Sequence, residues 1–267
     1  MLSLPVLADP VRAVDARKYL NSVTYKLYSM DRRTAIRAIA SSLAVPVAGC
    51  FDSSGSTETT TSSATVRNHP AAHGIETQPT LGPSPLDGGS VIVAFEDPSC
   101  PPCGRFERTV FPKIRDEWTE QGKVSFVYRS LPIVYEWGGP ATAALEGTYE
   151  RASTAFWALK AHYYETQDAF TSDNVRERTR TFLESETDID ADSVLKGVDA
   201  DRYEDAIAVD REAAARADVD STPTFALFKR GTFLTLIHGN HSFKLFESAL
   251  DLKRDDRERQ GSVETGT

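Results

Sequence analysis

The apolar and polar positions of this chain follow several rhythms, each marking a region. Between Ser90 and Asp97 the run SVIVAFED is almost continuously apolar, as in a strand buried on both faces. Beyond it Phe106, Val110, Ile114 and Trp118 recur every fourth residue, with Phe111 alongside. This predicts one buried face of a helix that continues to about Gln121 and ends near Gly122. KVSFVYRS, from Lys123 to Ser130, predicts a second strand. Strand, helix and strand form a β-α-β unit, with a parallel strand pair and a right-handed crossover. The glycines and prolines of TLGPSPLDGG mark a loop ahead of this unit, with an edge strand just before it.

From Pro140 to about Ala217 the pattern turns helical and rich in Ala, Glu and Arg; Phe156, Trp157, Tyr163 and Tyr164 read there as core packing. PTFALF and TFLTLIHG, joined by Lys229, Arg230 and Gly231, predict a β-hairpin. SFKLFESALDLK predicts a last amphipathic helix with Phe243, Phe246 and Leu250 on one side. The fold class is therefore α/β, in the order β-α-β … β-β-α. A helical domain over 140–217 is inserted between a first half (88–139) and a second half (218–256), and a charged tail (257–267) frays.

Upstream, composition carries more information than periodicity. From Met30 the sequence MDRRTAIRAIASSLAVPVAGC sets a charged stretch containing Arg32 and Arg33 before a short apolar run, Ala38 to Val47. That run is too short to cross ~30 Å of hydrocarbon comfortably, so residues 30–49 read as a signal peptide. The paired arginines resemble a twin-arginine export signal, although Ala35 stands where such signals carry a bulky apolar residue. VAGC resembles a lipobox, which makes Cys50 the lipidated first residue of the mature protein. Residues 1–29 have no signal character, so translation is expected to start at Met30. Residues 50–87 read as a lipid-anchored tether, beginning with a Ser/Thr-rich stretch too polar to offset its ordering entropy.

The chain carries 30 basic and 39 acidic side chains, a net charge of −9. Removing residues 1–49 leaves 23 basic and 36 acidic, or −13. This balance argues against nucleic acid, whose phosphates need a basic face. Widely spread acids also suit a protein from a high-salt environment, a halophile, where the charge is screened and maintains solubility.

Only three cysteines are present, so a disulfide-rich scaffold is excluded. Cys100 and Cys103 flank Pro101 and Pro102 at the point where the strand ends and the helix begins. A sulfur at a helix N-terminus meets unpaired N–H groups and the positive end of the macrodipole, which favour its thiolate. Cys100 is thus the expected exposed nucleophile, and Cys103, one turn in, the buried resolving thiol. Pro101 and Pro102 suit the first helical turn but remove two donors, so the pKa of Cys100 should fall only moderately. Zinc would need about four ligands. There is no second cysteine pair, and His69, His73, His162, His238 and His241 sit in unrelated segments. A purely structural disulfide would close too short a loop to constrain the unfolded chain much. No glycine-rich dinucleotide loop follows a strand, so no cofactor is called for.

FEDPSCPPCGRFERTVFPKI, the inserted helical block and STPTFALF together resemble the DsbA-like branch of the thioredoxin superfamily, over about Gly88 to Lys253. The resemblance implies a thioredoxin fold in which Pro223 is cis and faces the dithiol, while Thr222 touches the bound peptide backbone. Many relatives carry a buried acid six residues before the nucleophile, where this chain has Ala94. A buried proton acceptor for Cys103 is then Asp97, Glu96 or water, with Asp97 ranked first. The pair between the cysteines also lacks the histidine of the most oxidising members, which implies a weaker oxidant.

The expected function is an exported, membrane-anchored thiol–disulfide oxidoreductase on the outer face of the cytoplasmic membrane. Its partners are cysteine-containing exported clients and a membrane redox protein that resets the dithiol. Two alternatives remain: an exported reductase, for example of apocytochromes, and a copper-delivery lipoprotein using Cys100 and Cys103 as soft ligands. Apart from Met1 and Met30 the chain has no methionine, which weighs against copper.

Overall fold

The computed structural model describes residues 64–252. The expectations for Arg32, Arg33, Cys50, the signal segment and the charged tail lie outside the described residues.

Five strands form one sheet: β1 (Thr80–Leu81), β2 (Ser90–Glu96), β3 (Val124–Ser130), β4 (Thr224–Lys229) and β5 (Thr232–His238), in the order β1-β3-β2-β4-β5. β2 and β3 are parallel, with Ala94 opposite Tyr128 and Glu96 opposite Ser130; the other pairs are antiparallel. β2 is apolar along its length because both of its faces are covered. Ile92 and Ala94 join one core with Phe126, Tyr128, Phe225 and Phe246. Val91, Val93 and Phe95 join a second core with Val127, Ala226 and Phe228 on the opposite face. The period of two along the strands divides these sets.

The crossover from β2 to β3 begins with α1 (Pro101–Thr109) and passes into α2 (Phe111–Ile114) and a π-helical turn over Arg115–Thr119. The sequence pattern predicts one helix here, and the interruption has a local cause. Pro112 has no N–H to continue the ladder and crowds the preceding turn. The chain re-forms around Val110, whose carbonyl accepts from both Lys113 N and Ile114 N. The widened turn then closes through Glu120 N to Arg115 O at 2.9 Å. Gly122, at φ +68°, ends the segment as expected.

Five helices lie between β3 and β4: α3 (Gly138–Tyr149), α4 (Ser153–Glu165), α5 (Val175–Glu186), α6 (Ala191–Asp199) and α7 (Glu204–Arg216). α8 (Phe243–Leu250) follows the hairpin and stops at Asp251, which adopts the left-handed conformation. The five helices between β3 and β4 do not form a wholly separate block. Ala213 and Ala214 of α7 pack in the second core against the sheet.

The expected tether over 50–87 is too long. Within its described part, Val66, Ala71, Ala72, Ile75 and Leu81 are buried. Thr65 bridges to Thr232, and Arg129 in β3 donates to the His73 carbonyl. Arg129 also pairs with Asp210 of α7 at 2.8 Å, both ends fully buried. Residues 64–87 are therefore part of the folded domain. The short 3₁₀ turns at Pro70–Ala72 and Ile75–Thr77 carry too few apolar residues to announce themselves by period. Among the described residues, no helix is long and apolar enough to cross a membrane.

Candidate active site

β2 ends at Glu96, and the chain turns through Asp97, Pro98 and Ser99 to Cys100, the N-cap of α1. Cys100 has extended backbone geometry, and its Sγ accepts a hydrogen bond from Cys103 N at 3.4 Å. Pro101 and Pro102 have no N–H, and Gly104 N donates to the Cys100 carbonyl. Of the first-turn amides, Cys103 N is therefore the one that serves the sulfur. Both cysteines are free thiols, and both are buried: Cys100 is 1 % exposed and Cys103 0 %. The expectation of an exposed Cys100 needs correction. Its Sγ lies under the Thr222 carbonyl, to which it donates at 3.2 Å, with exposed Pro101 beside it.

The two thiols differ in acidity. Cys100 is lowered to about 7, chiefly by hydrogen bonding with the Cys103 side chain, with help from the Thr222 side chain and the Cys103 N–H; burial and the Asp97 charge oppose the shift. Cys103 is pushed well above the usual thiol range, first by burial, then by its hydrogen bond with Cys100 and the charge of Glu96. The same contact thus stabilises one thiolate and suppresses the other.

The Thr222–Pro223 peptide bond is cis. The loop brings the Thr222 carbonyl to the Cys100 sulfur before β4 begins, and Gly239 N donates to the Pro223 carbonyl at 2.7 Å. Cys100, Cys103, Thr222 and Pro223 thus gather at one end of the sheet.

Asp97 joins them but is fully occupied. Its Oδ1 accepts from Ser99 N at 2.7 Å and Ser99 Oγ at 2.6 Å; its Oδ2 accepts from Ile133 N and Val134 N, both at 2.8 Å. This carboxylate ties the loop after β2 to the loop after β3. The tie needs Gly138, since a Cβ there would lie 2.6 Å from Asp97 Oδ1.

Glu96 presents the opposite case. It is fully buried, and its carboxyl has only weak hydrogen bonding, with Glu107 and Tyr164. Burial, then the neighbouring Glu107 charge, raises its pKa well above the carboxylate range, against the pull of Lys160. Lys160 Nζ pairs with Glu107 Oε2 at 2.5 Å and sits 4.2 Å from the centre of the Phe111 ring and 5.0 Å from that of Tyr128. Of the two acids, Glu96 is the one with a raised pKa and a charge that acts on Cys103, whereas the Asp97 carboxylate is taken up by four donors.

Sequence reasoning missed Gln167. Its Nε2 donates to the Pro98 carbonyl at 2.7 Å and the Cys100 carbonyl at 2.9 Å, holding the reactive turn from the helical block. Gly104 leaves room for it, since a Cβ there would meet Gln167 Oε1 at 2.4 Å. No period or motif marks a lone glutamine. Lys160 did carry a signal, as a lysine among Phe156, Trp157, Tyr163 and Tyr164. Among the described residues, no group of three or more His, Cys, Asp or Glu is placed to hold a metal ion.

A family model described as thioredoxin matches residues 85–251. Disulfide bond formation protein D of Bacillus subtilis (strain 168) is 26% identical over 153 residues, covering 56% of this chain and 67% of that protein. Among solved structures, oxidised BdbD from Bacillus subtilis superposes with a TM-score of 0.59 at 21% identity, over 67% of this chain and 93% of that one. Wolbachia pipientis α-DsbA1 gives 0.55 at 18% identity, over 66% and 89%.

The acidity difference fixes a pH profile for the reduced protein. Alkylation of Cys100 should rise through about pH 7 and level off by about pH 8, while Cys103 stays unreactive across that range. Because the folded Cys100 pKa lies below the unfolded ~8.5, its contribution to stability is full above that value and disappears as pH falls through 7. Mass spectrometry of iodoacetamide-treated protein measures the profile. Equal labelling of both thiols at pH 7 would contradict it.

Proposed function

The chain belongs to the thioredoxin family and is a thiol–disulfide oxidoreductase, and from that premise we propose that Cys100 and Cys103 form or reshuffle disulfides in exported proteins. The observation that supports this most directly is the split in acidity between two thiols one helical turn apart.

In the forming direction, a client thiolate attacks Cys100 Sγ of the Cys100–Cys103 disulfide. The new bond joins client sulfur to Cys100, and Cys103 departs as a thiolate that takes a proton from Glu96. A second client thiolate then attacks the client sulfur of the mixed disulfide. Cys100 leaves as a thiolate, stabilised by the Cys103 N–H, and the client keeps the disulfide. In reshuffling, Cys100 thiolate attacks a client disulfide and displaces one client thiolate. A different client thiolate then attacks the client sulfur of the adduct, forming the new client disulfide and releasing Cys100 thiolate with no net change of oxidation state. Attack by Cys103 on Cys100, after giving its proton to Glu96, instead leaves the client reduced and the dithiol oxidised. The client backbone takes the place beside Thr222 and Pro223, displacing the contact that now covers Cys100. A disulfide-bearing partner at the membrane accepts the two electrons and restores the Cys100–Cys103 bond.

The location belongs to the same reading. Arg32 and Arg33 direct export, and Cys50 carries the lipid that holds the domain at the outer face of the cytoplasmic membrane, in a high-salt setting suited to its acidity. An exported reductase would use the same dithiol. The relative named for disulfide bond formation favours the oxidising reading.

Two experiments test these assignments. Cys103→Ser should accumulate mixed disulfides between Cys100 and exported clients, visible on non-reducing gels, while Cys100→Ser should accumulate none. Adducts through Cys103 alone would reverse the roles. Glu96→Gln should slow resolution by Cys103 roughly tenfold or more. Asp97→Asn should instead lower stability by about 2 kcal/mol, through lost bonds to the Ile133 and Val134 amides, with a smaller effect on the resolving step. The opposite pattern would return the proton to Asp97.

A further inference from the structure

A cavity of about 500 Å³ opens beside the dithiol and has no part in the exchange chemistry described above. Ser99 and Pro101, the chain neighbours of Cys100 on either side, form part of its wall. Tyr135, Trp137 and Phe170 give it aromatic surface, and Glu136 and Asp168 give it two carboxylates. No Lys, Arg or His is among its lining residues. Arg178 stacks on Phe170, with its guanidinium carbon 5.5 Å from the ring centre.

Within the cavity lining the two carboxylates meet no cationic side chain. Among the described residues neither Glu136 nor Asp168 has an ion-pair partner, and Glu136 receives one long hydrogen bond, from Ser172 Oγ at 3.5 Å. Next to the cavity the chain displays Ile133, Val134 and Tyr135 at 51 %, 42 % and 57 % exposure. This apolar tripeptide is held rigidly, because Asp97 takes two of its amides and Ser99 Oγ takes the third. An aromatic wall with unpaired carboxylates suits a long cationic side chain, whose stem is apolar and whose head is charged. An extended peptide advances ~3.3 Å per residue, so a side chain within about three residues of a client cysteine held at Cys100 reaches the cavity.

We propose that this cavity is a specificity pocket for an arginine or lysine of the client segment that carries the reacting cysteine. Its stem lies against Tyr135 and Trp137, and its head meets Glu136 and Asp168. The proposal rests on the client-exchange reading and adds to it the chemistry of the preferred client: a cationic flank beside the cysteine.

The test separates the two ideas by using redox-inert peptides. A client peptide with its cysteine changed to serine carries Arg, Gln or Glu at each of the three positions on either side, and each version is titrated into the full chain by calorimetry. At one or more positions Arg should bind roughly fivefold more tightly than Glu. The preference should fall below about twofold in the Glu136→Gln/Asp168→Asn double variant. It should persist in Asp201→Asn/Asp205→Asn, which makes the same charge change at residues outside the cavity lining. An undiminished preference in the first variant would assign it to the overall negative charge and overturn the pocket. So would the absence of any Arg preference, or of any binding. Cysteine-containing versions of the same peptides judge the exchange reading separately: if none forms a mixed disulfide with Cys100, that reading fails whatever the serine peptides show.

Discussion

The reactive centre depends on the contact between the two cysteines across the first turn of α1, where the Cys103 thiol lies beside the Cys100 sulfur and the Cys103 amide donates to it. It exists because β2, buried on both faces, delivers the chain to a helix start where two prolines leave that amide as the donor nearest the sulfur. The same turn sets the second thiol behind the first, in a site closed to solvent. Thiolate character on Cys100 and its suppression on Cys103 are thus two results of one local geometry. A dithiol that must be attacked at one sulfur and resolved by the other needs that asymmetry.

Around this turn, two neighbouring acids sit in opposite surroundings. Asp97 spends its carboxylate on four donors and fixes the loops that frame the dithiol. Glu96, one residue earlier, is buried in the core with only weak hydrogen bonding, beside Tyr164 and the Glu107–Lys160 pair. Adjacent positions at a strand end face opposite sides of the sheet, which gives these carboxyls such different surroundings. Gln167 then locks the turn from the helical block, so the insertion holds the reactive loop in place as well as covering it.

Much of the fold was legible because strands and helices write their burial into the sequence with distinct periods. SVIVAFED and KVSFVYRS mark β2 and β3 to within a residue at their ends, and the Thr-Pro before TFALF marks the start of β4. The break at Pro112 was less visible, since the fourfold spacing of Phe106, Val110, Ile114 and Trp118 survives a widened turn. Residues 64–87 read as tether because their burial rests on a few small or apolar side chains without a period. Of the site, the cysteines and the Thr222–Pro223 loop were readable from motif and order. The choice between Glu96 and Asp97, and the role of Gln167, depend on contacts between distant segments that no local pattern carries.

The moderate acidity of Cys100 follows from the missing donors at Pro101 and Pro102 and bears on redox strength. A thiolate stabilised less than in the strongest oxidants stabilises the reduced form less, which lowers the reduction potential. The measurement that tests this account most directly is the reduction potential of Cys100–Cys103 in glutathione buffers. The proposed role in forming or reshuffling disulfides predicts a value between the ~−180 mV of an isomerase and the ~−120 mV of the strongest oxidant of this kind. A value at or below the ~−270 mV of thioredoxin would contradict it and make the protein a reductase.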